Sequence, residues 1–151
     1  AKRINTLAGN KRAVAAPRGH AKSTNLTFKD NLHAILYAYK HFILIISDVY
    51  DQATGFLESI KTEIEENEHI KEDFGSLAGR VWKQDVALTS SGIKIMARGS
   101  NQKVRGIKHK QHRPDLIVCD DIENDEMVRT PEQRKKLEDW YFKALSKAGD
   151  T

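Results

Sequence analysis

Ala16-Pro17-Arg18-Gly19-His20-Ala21-Lys22-Ser23-Thr24 is a basic loop of mostly small residues between an apolar stretch and an amphipathic one. It approaches the pattern G-x-x-x-x-G-K-[ST]. In that pattern small residues let backbone N–H groups wrap phosphate oxygens, a lysine reaches the terminal phosphates and a hydroxyl ligates magnesium. Lys22 and Ser23 fit the last two roles. Ala16 and Ala21 stand where the pattern has glycine, and Gly19 is the glycine that remains. An alanine held in the left-handed backbone region costs about 1–2 kcal/mol, so the loop either carries that strain or follows another path. Taken alone, the stretch reads equally as a basic turn capping a helix.

Its surroundings favour the phosphate loop. Arg12 to Ala16, with Ala13-Val14-Ala15-Ala16, makes a short strand candidate before it. After it, Phe28, Leu32, Ile35, Leu36 and Tyr39 recur at the spacing of one helix face. A helix starting near Ser23 would aim its positive end at bound phosphates, adding to the charge of Lys22.

A phosphate loop of this kind needs a second element, a buried strand ending in a carboxylate. Leu116-Ile117-Val118-Cys119-Asp120-Asp121-Ile122-Glu123 supplies it. Apolar residues without alternation suit a strand covered on both faces, and acids at its C-terminal end fall where open α/β sheets bind ligands. Asp120 is read as the magnesium-side carboxylate. Asp121 is first choice to activate water and Glu123 its rival; an acidic turn after any core strand is the plainer alternative.

The loop, Val104-Arg105-Gly106 and the segment from Arg113-Pro114-Asp115 to Glu123 together resemble the ATPase domain of the large terminase subunit of tailed bacteriophages. The match spans most of the chain. The resemblance implies a P-loop NTPase fold of the ASCE kind, an α/β sheet that is mostly parallel, with helices on both faces and a β-hairpin insertion. It implies ATP and Mg2+ as cofactors, and hydrolysis that drives DNA into a procapsid. Double-stranded DNA, the portal protein and the small terminase subunit would be partners of a homo-oligomeric ring, in the host cytoplasm and transiently at the procapsid portal. Carried over residue by residue, nucleotide contacts fall on Arg18, Gly19, His20, Ala21, Lys22, Ser23 and Thr24, and magnesium on Ser23 and Asp120. Catalysis falls on Asp121 or Glu123, with Arg18 acting on the phosphates and Arg105 as an arginine finger across a subunit boundary. Two departures stand out: Ala21 replaces a glycine, and Asp121 holds the place of a catalytic glutamate, one methylene longer. The resemblance also predicts an adenine-contacting segment before the first strand, and a coupling strand and nuclease domain beyond Thr151. Residues 1–151 are accordingly expected to be one ATPase domain cut at both ends, weakly active by itself.

Composition agrees with a single small domain of 151 residues, 39% hydrophobic and 30% charged. The longest strongly apolar run, Phe42-Ile43-Leu44-Ile45-Ile46, falls far short of the roughly 20 residues that span a bilayer. Cys119, the single cysteine, excludes an internal disulfide and is expected to pack in its strand. The net charge of +4 is unevenly spread: Ala1 to Lys29 has no acid, whereas Asp48 to Asp73 is strongly acidic. Lys103, Lys108, Lys110 and Arg113 read as a DNA-facing or subunit-facing loop, or as a solvated one. His109 and His112 lack the companions a metal site needs.

The other expected elements are a buried strand Phe42 to Ser47 closed by Asp48, and a helix with Ala53, Phe56, Leu57, Ile60 and Ile64 inward. A short helix from His69 to Phe74 follows, then a hairpin of Val86 to Thr89 with Ile93 to Ala97. A last helix opens on a Thr130–Gln133 capping box with Pro131 in its first turn, and buries Leu137, Trp140, Tyr141, Ala144, Leu145 and Ala148. Two function classes remain: the packaging ATPase, with a helicase-like ATPase as its rival, and a nucleotide- or DNA-binding module without turnover.

Overall fold

A computed structural model describes residues 14, 20–100, 102–123, 125, 128–143 and 145–149. A π-helical segment, Thr24–Lys29, runs into α1, Asp30–Leu36. Then come β1 (Phe42–Ser47), α2 (Tyr50–Glu66), α3 (Glu68–Phe74), β2 (Ala78–Trp82), β3 (Val86–Thr89), β4 (Lys94–Gly99), β5 (Leu116–Cys119) and α4 (Pro131–Lys143), with a 3-10 turn at Leu145–Lys147.

The five strands form one sheet in the order β2-β3-β4-β1-β5. Every residue of β1 is buried, because β4 and β5 flank it in parallel and helices cover both its faces. Its side chains divide by the period of two. Ile43 and Ile45 join Ile35 of α1 and Ala53, Leu57, Ile60 and Ile64 of α2. Phe42, Leu44 and Ile46 meet Val104, Leu145 and Ala148, with Trp140 and Tyr141 of α4 against them.

The expectation of a mostly parallel sheet is corrected. β2 pairs antiparallel with β3, and β3 with β4, so the sheet is mixed. The expected hairpin forms through Gly92, which sits at φ +88, but it is no appendage: β4 is also the parallel neighbour of β1. β2 was not expected from the sequence. Its pairing is irregular between Ala78 and Val81, and a Cβ on Gly79 would lie 2.0 Å from Leu88 O. Of the strand expected at Arg12 to Ala16, Val14 alone is described and it lies in no strand; the rest is outside the described residues.

The helices follow their caps and faces. Asn67 opens α3 by accepting the His69 and Ile70 N–H groups. The Thr130 capping box is present, with Gln133 N–H donating to Thr130 Oγ1 at 3.2 Å and Thr130 N–H to Gln133 Oε1 at 3.0 Å. Among the described residues no helix is long and apolar enough to cross a membrane.

Candidate functional site

The C-terminal ends of β1, β4 and β5 are joined by backbone hydrogen bonds. Asp120 N–H donates to Ile46 O at 2.9 Å, Asp48 N–H to Asp121 O at 2.9 Å and Ser100 N–H to Ser47 O at 2.7 Å. Beside β5 lies a cleft of about 300 Å³, lined by Lys22, Thr27, Asp30, Cys119, Asp120 and Asp121 with Val14, Leu26, Leu116, Ile117 and Val118. Residues 116–121 all line it although alternate ones belong to opposite sheet faces, so the cleft follows the outer edge of β5.

Asp120 is 5% exposed, and its Oδ2 accepts a 2.8 Å hydrogen bond from Thr27 Oγ1. Among the described residues this is the one hydrogen bond its side chain receives. Thr27 is held in turn from one turn further along, where Asn31 Nδ2 donates to Thr27 O at 2.6 Å. Among the described residues, Asn31 Oδ1 and Ser47 Oγ are buried without a partner. Ser47 ends β1 on the face shared with Ile43 and Ile45. A carboxylate has about four acceptor sites on its two oxygens, and the Thr27 hydroxyl fills one of them. Such a carboxylate, in the wall of a cleft that Lys22 also lines, suits a cation carrying phosphate oxygens.

Among the described residues no group of three or more His, Cys, Asp or Glu side chains is placed to hold a metal ion alone. Mg2+ ordinarily takes one or two carboxylates together with substrate phosphates, and Asp120 with a neighbouring hydroxyl fits that habit.

The expected site residues separate. Lys22, Asp120 and Asp121 come together on the cleft. Ala21 adopts φ +50, the left-handed conformation that the missing glycine would have taken without strain, and Asp121 adopts φ +52. Ser23 is half-buried and off the cleft. The hydroxyl set against Asp120 belongs to Thr27, four residues on, where Ser23 was expected. Thr24 and His20 are exposed. Arg18 and Gly19 lie outside the described residues. Glu123 is exposed and does not line the cleft; Arg105 is exposed on a turn with Gly106 at φ +75, also off it. Asp48 does not line it either, its Oδ1 accepting the Val49 N–H at 2.7 Å. Sequence reasoning missed Thr27 and Asp30. No local pattern marks either: Ser23 lies off the cleft, and Thr27 and Asp30 are picked out only by their place beside Asp120 and β5.

Cys119 departs from the packed thiol expected of it: β5 is the outermost described strand, and Cys119 is exposed at its end. Desolvation by the surrounding walls nonetheless pushes the thiol up to about 11, which favours the protonated form at neutral pH.

At the opposite end of β5, Asp115 joins two strand starts. Its Oδ1 accepts the Phe42 N–H at 2.9 Å, and its Oδ2 accepts the His41 N–H at 2.8 Å and lies 2.9 Å from His41 Nδ1. Burial opposes its ionisation, but the Phe42 and His41 amides, the His41 ring and the Lys40 charge outweigh that and hold the carboxyl below its ordinary range.

Comparison with protein families, with curated proteins and with solved structures finds no match.

Proposed function

We propose that this chain binds Mg-ATP in the cleft beside β5 and hydrolyses it, as the ATPase core of a viral DNA-packaging motor. One observation carries the reading: the buried Asp120 carboxylate lines the same cleft as Lys22 and is met by a single hydroxyl. On this reading Lys22 neutralises the terminal phosphates, and the helical N-terminus that follows it adds partial positive charge. Asp120, oriented by Thr27, takes the magnesium side. Bound Mg2+ supplies charge neutralisation on the phosphates. Asp121 rather than Glu123 activates water, which its position on the cleft supports.

The packaging role, with DNA, portal and small subunit as partners, rests on the likeness of the three segments to the terminase ATPase. Exposure of Arg105 suits a residue that acts on a neighbouring subunit in a ring. A second reading, a binding module without turnover, is favoured by the placement of Glu123 off the cleft, which leaves the shorter Asp121 in the water-activating place.

Phosphate release in the presence of DNA tests the assignment. Asp121→Asn is expected to lose about 10²-fold or more in rate while still binding nucleotide, and Glu123→Gln to stay near the parent. Loss in neither variant, or loss only in Glu123→Gln, contradicts the role given to Asp121.

A further inference from the structure

From Lys103 to Arg113 the chain carries Lys103, Arg105, Lys108, Lys110 and Arg113 and no acid. Its end folds into a tight hairpin, with His109 N–H donating to His112 O at 2.8 Å, His112 N–H to His109 O at 2.9 Å, and Lys110 at φ +54 on the tip. This hairpin is anchored. His109 Nε2 lies 2.8 Å from Gly92 O, Lys94 Nζ donates to Lys108 O at 3.3 Å, and the His109 ring meets Phe42 edge-on. His41, 60% exposed, stacks on His112 with ring centroids 4.1 Å apart and planes 8° from parallel.

Lys108, Lys110 and Arg113 are exposed, the Lys110 ammonium over Gly92, with Lys40 half-buried beside His41. Among the described residues none of Lys108, Lys110 and Arg113 forms an ion pair, while the Lys40 charge acts on Asp115. Asp115, the acid nearest them in sequence, is occupied by His41 and Phe42. A merely solvated loop has no need of such anchoring. A protein partner ordinarily meets an apolar or aromatic centre; of the large exposed apolar side chains none lies on residues 108–113, and Tyr39 beside Lys40 is the one adjoining the patch in sequence. Phosphate-backbone binding needs only placed cations. The hairpin precedes β5 while Asp120 follows it, so the patch and the buried carboxylate of the cleft lie at opposite ends of that strand.

We infer that the 108–113 hairpin, with Lys40 and His41, is a docking surface for duplex DNA, met through its phosphates without base reading. The inference goes beyond the nucleotide cleft, and rests on the proposed function only in choosing DNA over RNA.

Fluorescence anisotropy of a labelled mixed-sequence DNA duplex, without nucleotide, tests it on the full chain. Affinity should fall with salt at a log–log slope of about −3, as expected for three to four neutralised phosphates. The triple reversal Lys108→Glu, Lys110→Glu, Arg113→Glu should weaken binding at least about tenfold and flatten that slope. Circular dichroism verifies its fold, and the milder pair Lys110→Ala, Arg113→Ala should fall between it and the parent. Lys22→Ala should bind DNA as the parent does, even if the cleft reading fails. Parental affinity in the folded triple variant overturns the inference. So does equal competition by polyglutamate, which would indicate an acidic protein partner, or tighter binding of an RNA duplex.

Discussion

Thr27 Oγ1 donates a 2.8 Å hydrogen bond to Asp120 Oδ2, joining the first helical segment to the end of β5 across 93 positions of sequence. Both residues are buried, so the contact orients the carboxylate and closes the floor of the cleft. Thr27→Val keeps the shape and removes the donor. The expected cost is about 1–3 kcal/mol, the penalty of leaving a buried acceptor unsatisfied. Urea denaturation measures it, and Thr27→Ser should recover most of the loss.

Ala21 stands at φ +50 immediately before Lys22. Glycine is free of the Cβ clash there but loses more entropy on folding. Ala21→Gly is therefore expected to raise stability by up to about 1 kcal/mol. If Ala21→Gly instead lowers the melting temperature, the entropy cost of glycine outweighs the left-handed strain at this position.

Asp115 has its carboxyl held below the ordinary range, so its contribution to stability has a definite sign with pH. It is fully present above the unfolded carboxylate value, about 3.9, and is lost as pH falls through the folded value. Asp115→Asn should cost on the order of 1–2 kcal/mol at neutral pH, from hydrogen bonds weakened at the two strand starts. The gap to the parent should close below about pH 4. A gap independent of pH would contradict the linkage.

Cys119 combines exposure with a thiol pushed up to about 11. Alkylation follows the thiolate, so at pH 8 it should run at least about tenfold slower than with a free cysteine. It should accelerate steeply toward pH 11. Because Cys119 lines the cleft, Mg-ATPγS should slow the reaction further, and unchanged labelling with saturating nucleotide would place the ligand elsewhere.

The elements legible in the sequence were those whose signal is local. β1 is an unbroken apolar run, α2 carries a full helical stripe, and α4 is announced by Thr130, Pro131 and Gln133. The strand β2 carried no such signal: it is half-exposed, and its Gly79 reflects a close approach to Leu88 O rather than a propensity. The mixed sheet was not legible because pairing direction is decided by which strands meet, as when β4 lies between β3 and β1. Within the site, Lys22, Asp120 and Asp121 were legible from chemistry and order. Thr27 was not, since a polar residue beside Phe28 reads as an ordinary helix position until Asp120 is seen against it. Tyr39 was expected on the helix face, yet α1 ends at Leu36 and Tyr39 is half-exposed beyond Ala38 at φ +50.

The central claim is that the cleft beside β5 holds a nucleotide by its phosphates. Calorimetric titration of Mg-ATPγS into the parent chain and into Lys22→Ala tests it most directly. The account predicts saturable binding by the parent and none by the folded Lys22→Ala variant. Equal affinity in both would contradict the phosphate-loop assignment, and with it the role given to Lys22.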